Sequence, residues 1–284
     1  MPASRAGHPA PAVSIGDLER AAAGGWRAPE EIPLGGWLLR AAGGFTGRAN
    51  SALAVGDPGL PLPAAVAQVR RWYRTRGLPP MVSVSFPLSR PHASAVDRFL
   101  AGQGWRADRG AIVMAAVAEA VAETAAGRVA GAGAGPRGLA GGGVPAGVRV
   151  EVHTEPDDGW LELYRFRGER PPPISRRLLM SAPWQAFGRV REAGRTLAIG
   201  RVAEADGWAG LTAVAVDPRH RRRGLGGAIT GALAAAAAAR GVTRLYLQVE
   251  TGNAAARSLY RRAGFTDHHE YHYRIAPPEA APEA

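Results

Sequence analysis

Residues 213–229 read AVAVDPRHRRRGLGGAI, and the fold turns on them. A β-compatible apolar run ends at Val216, Pro218 bars its continuation, and arginines and glycines lead into Gly226–Arg240. That last segment is dominated by alanine and cannot hold strand alternation, so it reads as a helix stopped by Gly241. A strand, a basic glycine-rich turn and a helix in this order make an anion site. Backbone N–H groups at a helix N-terminus have no internal acceptors and lie at the positive end of the macrodipole. Gly224 and Gly226 let a ligand approach the backbone closely. A plain connecting loop carries the same glycines, so the loop by itself does not decide. The Walker pattern is excluded, because GLGGAIT lacks its lysine. A Rossmann fingerprint needs a third glycine where Ile229 stands, although Glu250 partly matches its ribose-binding acid.

Working outward, Leu245–Val249 is predicted as a strand, Ala254–Ala263 as a helix stopped by Gly264, and Thr266–Ile275 as a last strand. Upstream, Thr196–Ala205 and Ala209–Val216 form a hairpin about Asp206 and Gly207. Val148–His153 alternates as a strand, and Asp157 or Asp158 caps a helix running to Phe166. Pro173 suits the first turn of a short helix that Pro183 ends, and Gly188 gives it no encouragement to continue.

The loop taken together with LYLQVETGNAAARSLYRRAGF at 245–265 resembles the GNAT superfamily of N-acetyltransferases. The matching elements are VDP at 216–218, R-x-x-G-x-G from Arg221 to Gly226, and Asn253, Ala256 and Tyr260 in N-x-x-A-x-x-x-Y, closed by Gly264 and Phe265. The resemblance implies an α/β fold with a mixed sheet, and acetyl-CoA as cosubstrate. It implies that Arg221 opens the motif and that the amides of Arg222, Arg223, Gly224, Leu225, Gly226 and Gly227 hold the CoA pyrophosphate. Val214 and Val216 would pair their backbone with pantetheine as an added strand does, and the Val214 amide would polarise the thioester carbonyl. Asn253 would contact the cofactor or cap its helix, and Ala256 joins the cofactor-binding positions. Tyr260 would protonate the departing thiolate; the competing reading is a packed core tyrosine.

The general base is left open. Similar enzymes acting on ribosomal-protein N-termini carry LEV where this chain has LQV with Gln248, and glutamine cannot take a proton. Gly210 falls at another common base position, so Glu250, Glu204, Asp206 or a water relay stand as alternatives.

RGLPPMVSVS at 76–85, followed by a helix and GQGW at 102–105, parallels RGVTRLYLQVE, a helix and RAGF in the second half. Trp37–Arg40 and Ser51–Val55 match the hairpin, and Ala64–Arg76 the alanine-rich helix. The intervening GDPGLPLP has three prolines and no arginine, so it offers few amides to a phosphate. The expectation is a tandem GNAT arrangement: a degenerate domain at 13–126, a Gly/Ala-rich linker at 127–147, an acetyl-CoA-binding domain at 148–275 and a frayed tail at 276–284. GGFTGRANSAL at 43–53 resembles an actinobacterial branch of the superfamily.

Composition narrows the function classes. There is no cysteine, which excludes disulfides, thiolate metal sites and a cysteine nucleophile. The formal charge is +11, yet every one of the 35 basic residues is arginine and they are scattered outside 219–223, which counts against nucleic acid. His268, His269 and His272 do not form a metal motif on a strand and are expected to be structural or surface groups. No leader or membrane-spanning run is legible, so a cytoplasmic protein is expected. The expected activity is transfer of acetyl from acetyl-CoA to a primary amine of a small molecule. A protein N-terminus as acceptor, and a non-catalytic CoA-binding sensor, are the rivals.

Overall fold

The computed structural model describes residues 13–90, 94–131, 150–166 and 168–278. The chain forms one mixed eleven-stranded sheet covered by helices on both faces. The first part of the chain gives α1 (Ile15–Gly24), β1 (Glu30–Leu34), β2 (Trp37–Ala41), β3 (Ala52–Leu53), α2 (Leu62–Arg74), β4 (Met81–Pro87), α3 (Ala95–Gly102), β5 (Arg106–Val117) and α4 (Ala118–Gly131). The second gives β6 (Val150–His153), α5 (Asp158–Leu163), α6 (Ile174–Leu179), β7 (Trp184–Glu192), β8 (Arg195–Ala205), β9 (Trp208–Val216), α7 (Leu225–Ala238), β10 (Arg244–Glu250), α8 (Ala254–Arg262) and β11 (Thr266–Ile275). Of the stretch expected to be a linker, 127–131 closes α4, and 132–147 lies outside the described residues, as does the tail from 279.

The strand order is β1-β2-β3-β4-β11-β5-β10-β9-β8-β7-β6. Each half builds antiparallel neighbours and one parallel pair, β3 with β4 and β9 with β10. The next strand then comes from the other half. β11 pairs with β4 along its outer length, and β5 pairs with β10 from Arg244↔Val117 to Glu250↔Ala111. β5 and β11 also pair with each other at the centre of the sheet. The repeat visible in the sequence is therefore joined by a reciprocal exchange of final strands.

Alternation along the strands assigns the helices to faces. Ala111, Val113 and Ala115 of β5 pack with Leu18, Ala21 and Ala22 of α1, whereas Ile112, Met114 and Ala116 join the core under α7 and α4. On the α1 face of the second half, Trp160 of α5 and Leu178 and Leu179 of α6 meet Phe187 and Ile199. On the other face, Leu100 of α3 and Val66 and Val69 of α2 meet Val82 and Val84. The alanine-rich composition of α7 follows from its being covered twice, by the sheet and by α4. A Cβ on Gly231 would stand 2.0 Å from the Ala125 Cβ, so the two helices touch there through glycine. Gly231→Leu is expected to destabilise the fold by about 1–3 kcal/mol through overpacking, read as a lowered melting temperature with unchanged helix content.

Several local expectations need correction. Asp157 caps α5, accepting from the Trp160 N–H at 2.8 Å, but the helix ends at Leu163, before Phe166. Beyond Pro183 the chain forms β7, a full strand. Gly188 within it leaves room for α7, since a Cβ there would lie 3.3 Å from Leu233 Cδ2. For His268, His269 and His272 the structural role, one of the two expected, is what the contacts show, with His269 and His272 buried and His268 half-buried. His269 meets Glu19 of α1 at 2.8 Å, His272 meets Asp97 of α3 at 2.6 Å, and His268 Nε2 lies 3.1 Å from the Val13 carbonyl.

Candidate functional site

β9 and β10 run parallel from Trp208↔Arg244 to Leu211↔Leu247, and their pairing stops there. β10 continues along β5 and β9 along β8, so the two strands diverge into a notch toward their carboxyl ends. Ala213, with φ 54°, supplies the bend: the register with β8 slips between Ile199↔Ala215 and Arg201↔Thr212. Burial changes at the same point. Trp208–Leu211 is buried, and Thr212–Val216, including Val214 and Val216, is half-exposed. One edge of β9 therefore faces the notch without a strand partner beyond Leu211 among the described residues.

The chain leaves β9 through a 3-10 turn at Pro218–His220, where Asp217 accepts from the Arg219 N–H at 2.9 Å. Arg222 (φ 63°) and Gly224 (φ 73°) take left-handed conformations that turn the backbone into α7. The first intrahelical bond runs from the Ala228 N–H to the Gly224 carbonyl, 3.1 Å, so the amides of Leu225, Gly226 and Gly227 precede it. A Cβ on Gly227 would meet nothing within 4 Å, while one on Gly226 would meet Leu259 Cδ1 at 3.2 Å. Of the two, Gly227 faces open space and Gly226 faces α8. Arg221 and Arg222 are exposed, and Arg223 pairs with Glu192 through bonds of 2.8 and 3.3 Å.

α8 forms the other wall. Asn253 caps it, accepting from the Ala256 N–H at 3.0 Å, which is the capping role among the two expected for it. Ala256 and Tyr260 pack against the same core as Val214 and Val216. Burial pushes the Tyr260 phenol up to about 12, and its ring meets Phe265 edge-on at 5.9 Å. Its hydroxyl makes no hydrogen bond to another described residue. A recess of about 370 Å³ on the flank of α8 is lined by Arg257, Ser258, Arg261 and Arg262. Arg257 and Arg261 are already paired with Asp267.

The α1 face of the notch holds groups that the sequence did not bring together. Gly210 falls beneath the Tyr246 ring, whose Cζ and hydroxyl would lie 2.2 Å from an added Cβ. The position matched to a base is thus roofed by a phenol, which explains the glycine. Gln248, the next residue on that face of β10, accepts from Arg48 at 2.8 Å and from the Tyr271 hydroxyl at 3.3 Å. Arg48 lies 5.2 Å and Arg201 5.3 Å from the Trp26 ring centre. Arg201 is fully buried, donates to the carbonyls of Leu179 (2.7 Å) and Gly25 (3.1 Å), and has no partner for Nη2 among the described residues. Burial above all, with the positive charge of Arg48 acting in the same direction, pulls it down to about 9. Glu204 pairs with Ala209 and Asp206 sits in the hairpin turn, both at the closed end of β9 away from the notch. Glu250 is exposed and pairs with Ala111 on the open side.

Residues 12–274 match the family described as "Probable histone acetyltransferase Rv0428c C-terminal". The chain is 28% identical over 261 residues to "Uncharacterized N-acetyltransferase YobR" of Bacillus subtilis, covering 92% of this chain and 98% of that one. Among solved structures, a GCN5-related N-acetyltransferase from Kribbella flavida superposes with a TM-score of 0.62 at 20% identity, covering 94% of this chain and 98% of that one. A tandem GNAT protein from the clavulanic acid biosynthesis pathway superposes at 0.55 with 15% identity, covering 77% and 70%. Among the described residues no helix is long and apolar enough to cross a membrane.

Proposed function

Because the chain belongs to the Rv0428c C-terminal acetyltransferase family, within the GNAT superfamily of acyltransferases, we propose that it transfers acetyl from acetyl-CoA to the primary amine of a small molecule. The observation that carries this reading is the notch between β9 and β10, with free amides at the N-terminus of α7 on one side and Tyr260 on the other. The same reading makes 13–126 a degenerate unit and 148–275 the acetyl-CoA-binding one.

In this mechanism the amides of Arg222 to Gly227 cradle the pyrophosphate, in a turn whose open face lies at Gly227. Asn253 and Ala256 shape the start of α8 beside it. The exposed Arg221 and Arg222 add positive charge, and Arg223, held by Glu192, contributes its amide. The unpaired edge at Val214 and Val216 orders pantetheine as a neighbouring strand would. Attack by the neutral amine forms the new C–N bond and places charge on the carbonyl oxygen, which the Val214 amide stabilises. Collapse breaks the C–S bond while Tyr260 gives its proton to sulfur. Glu250, exposed on the open side, takes the amine proton through water.

Thiol release measured across an amine panel tests the reading; tight CoA binding without release from any acceptor would favour a sensor instead. Gly227→Pro tests the cradle separately. It removes one amide before the first intrahelical bond and places the ring in open space. Acetyl-CoA affinity is expected to fall about 10- to 100-fold, the scale of a lost hydrogen bond to a charged group. The melting temperature should hold; unchanged affinity by calorimetry would place the phosphates elsewhere.

A further inference from the structure

The α1 face of the notch carries two guanidinium groups and, among the described residues, no carboxylate paired to either. They flank one indole, that of Trp26, at nearly equal distances. Arg201 has an unsatisfied buried Nη2, and its cross-strand neighbour Thr212 has an unsatisfied buried hydroxyl. The hydroxyls of Tyr164 and Tyr246 take no partner among the described residues, and both phenols feel both arginines. A buried guanidinium with an orphan N–H, beside a second one, is costly unless an anion arrives.

From this we infer that the amine acceptor carries a carboxylate, bound by Arg48 and Arg201 on the α1 face of the notch. The acceptor is then an amino-acid-like molecule, with its amine toward the thioester and its carboxylate toward the guanidiniums. Charge-assisted hydrogen bonds from arginine suit a carboxylate, and the tyrosine hydroxyls supply neutral donors beside them. The identity of residue 248 fits the same logic. A glutamate there would neutralise Arg48, whereas the Gln248 amide holds the guanidinium by one hydrogen bond and leaves its charge for the ligand. Glu19, the acid nearest these groups on α1, is already joined to His269 at 2.8 Å and to Ser85 at 3.0 Å.

This inference rests on the transfer reading above, and the test separates the two. Amino acids and dipeptides, each beside its C-terminal amide, are assayed for thiol release at saturating acetyl-CoA. The carboxylate member of a used pair is expected to be favoured about 10- to 100-fold in kcat/KM, mainly through the acceptor KM. Arg48→Gln should remove that preference. Gln248→Glu, which keeps side-chain shape and sets an acid against Arg48, should remove it too, with the KM for acetyl-CoA unchanged in both. Equal use of acids and amides by the unaltered protein would overturn the inference. So would a Gln248→Glu variant faster on both members alike, since residue 248 would then be a base position. If no pair releases thiol, calorimetry of the same pairs on CoA-saturated protein decides. A carboxylate preference there keeps the inference and sinks the transfer, whereas equal binding or none sinks the inference.

Discussion

Tyr260→Phe is expected to lower the maximal rate of acetyl transfer about 100- to 10,000-fold while leaving the KM for acetyl-CoA nearly unchanged. The ring would survive in place, because its edge contact with Phe265 and its packing against the core under α7 do not involve the hydroxyl. What disappears is the proton. Burial favours the neutral phenol and raises it to about 12, so the acid stays protonated at every working pH and is not lost on the alkaline side below that value. A phenol so raised would be a poor match for a thiol in water. The enclosed surroundings raise the leaving thiol as well, since they penalise the thiolate for the same reason. Stopped turnover with intact calorimetric binding is the expected pair of readings. Near-normal turnover would make Tyr260 a packing residue, and a parallel loss of affinity would make its hydroxyl a binding group.

Expressed separately, a fragment ending at Gly131 and one beginning at Val150 are each expected to lack a cooperative melting transition. Together they should regain it. Without β11, the first fragment has an open gap between β4 and β5, each of which pairs with that strand. Without β5 and α4, the second exposes the edge of β10 and the outer side of α7. Buried histidines and carboxylates would also part, since His269 reaches Glu19 and His272 reaches Asp97 across the same boundary. Circular dichroism and thermal melts of each fragment, and of the mixture, read the outcome directly. A cooperative transition in either fragment alone would mean that the exchanged strands are dispensable.

What the sequence disclosed and what it hid follow one physical division. α7, β10, α8 and β11 were legible because alanine content, alternation and glycine stops are local signals. β7 was obscured because Pro183 and Gly188 look like breakers, although the glycine is there to admit Leu233 of α7. α1 went unread, yet it delivers Trp26 to the notch immediately beyond its end. The internal repeat marked two similar halves but not how their strands join, since periodicity records which face a strand buries but not which strand lies beside it. The Arg48–Gln248 bond spans 200 residues of chain, and no local pattern announces it. Nothing local at Gly210 foretells the Tyr246 ring that the tertiary structure puts above it.

The central pairing of β5 with β11 also decides how this molecule can move. Two lobes joined by a simple tether can swing apart to admit a substrate. Here such a swing would have to unzip hydrogen bonds in the middle of a continuous sheet, at several places together. Opening is therefore confined to the rim of the notch: the outer turn of β9, the arginine turn before α7, and the 3-10 turn at Arg48–Asn50. The first half of the chain is thus a rigid jaw, fixed to its counterpart by the innermost strands of both.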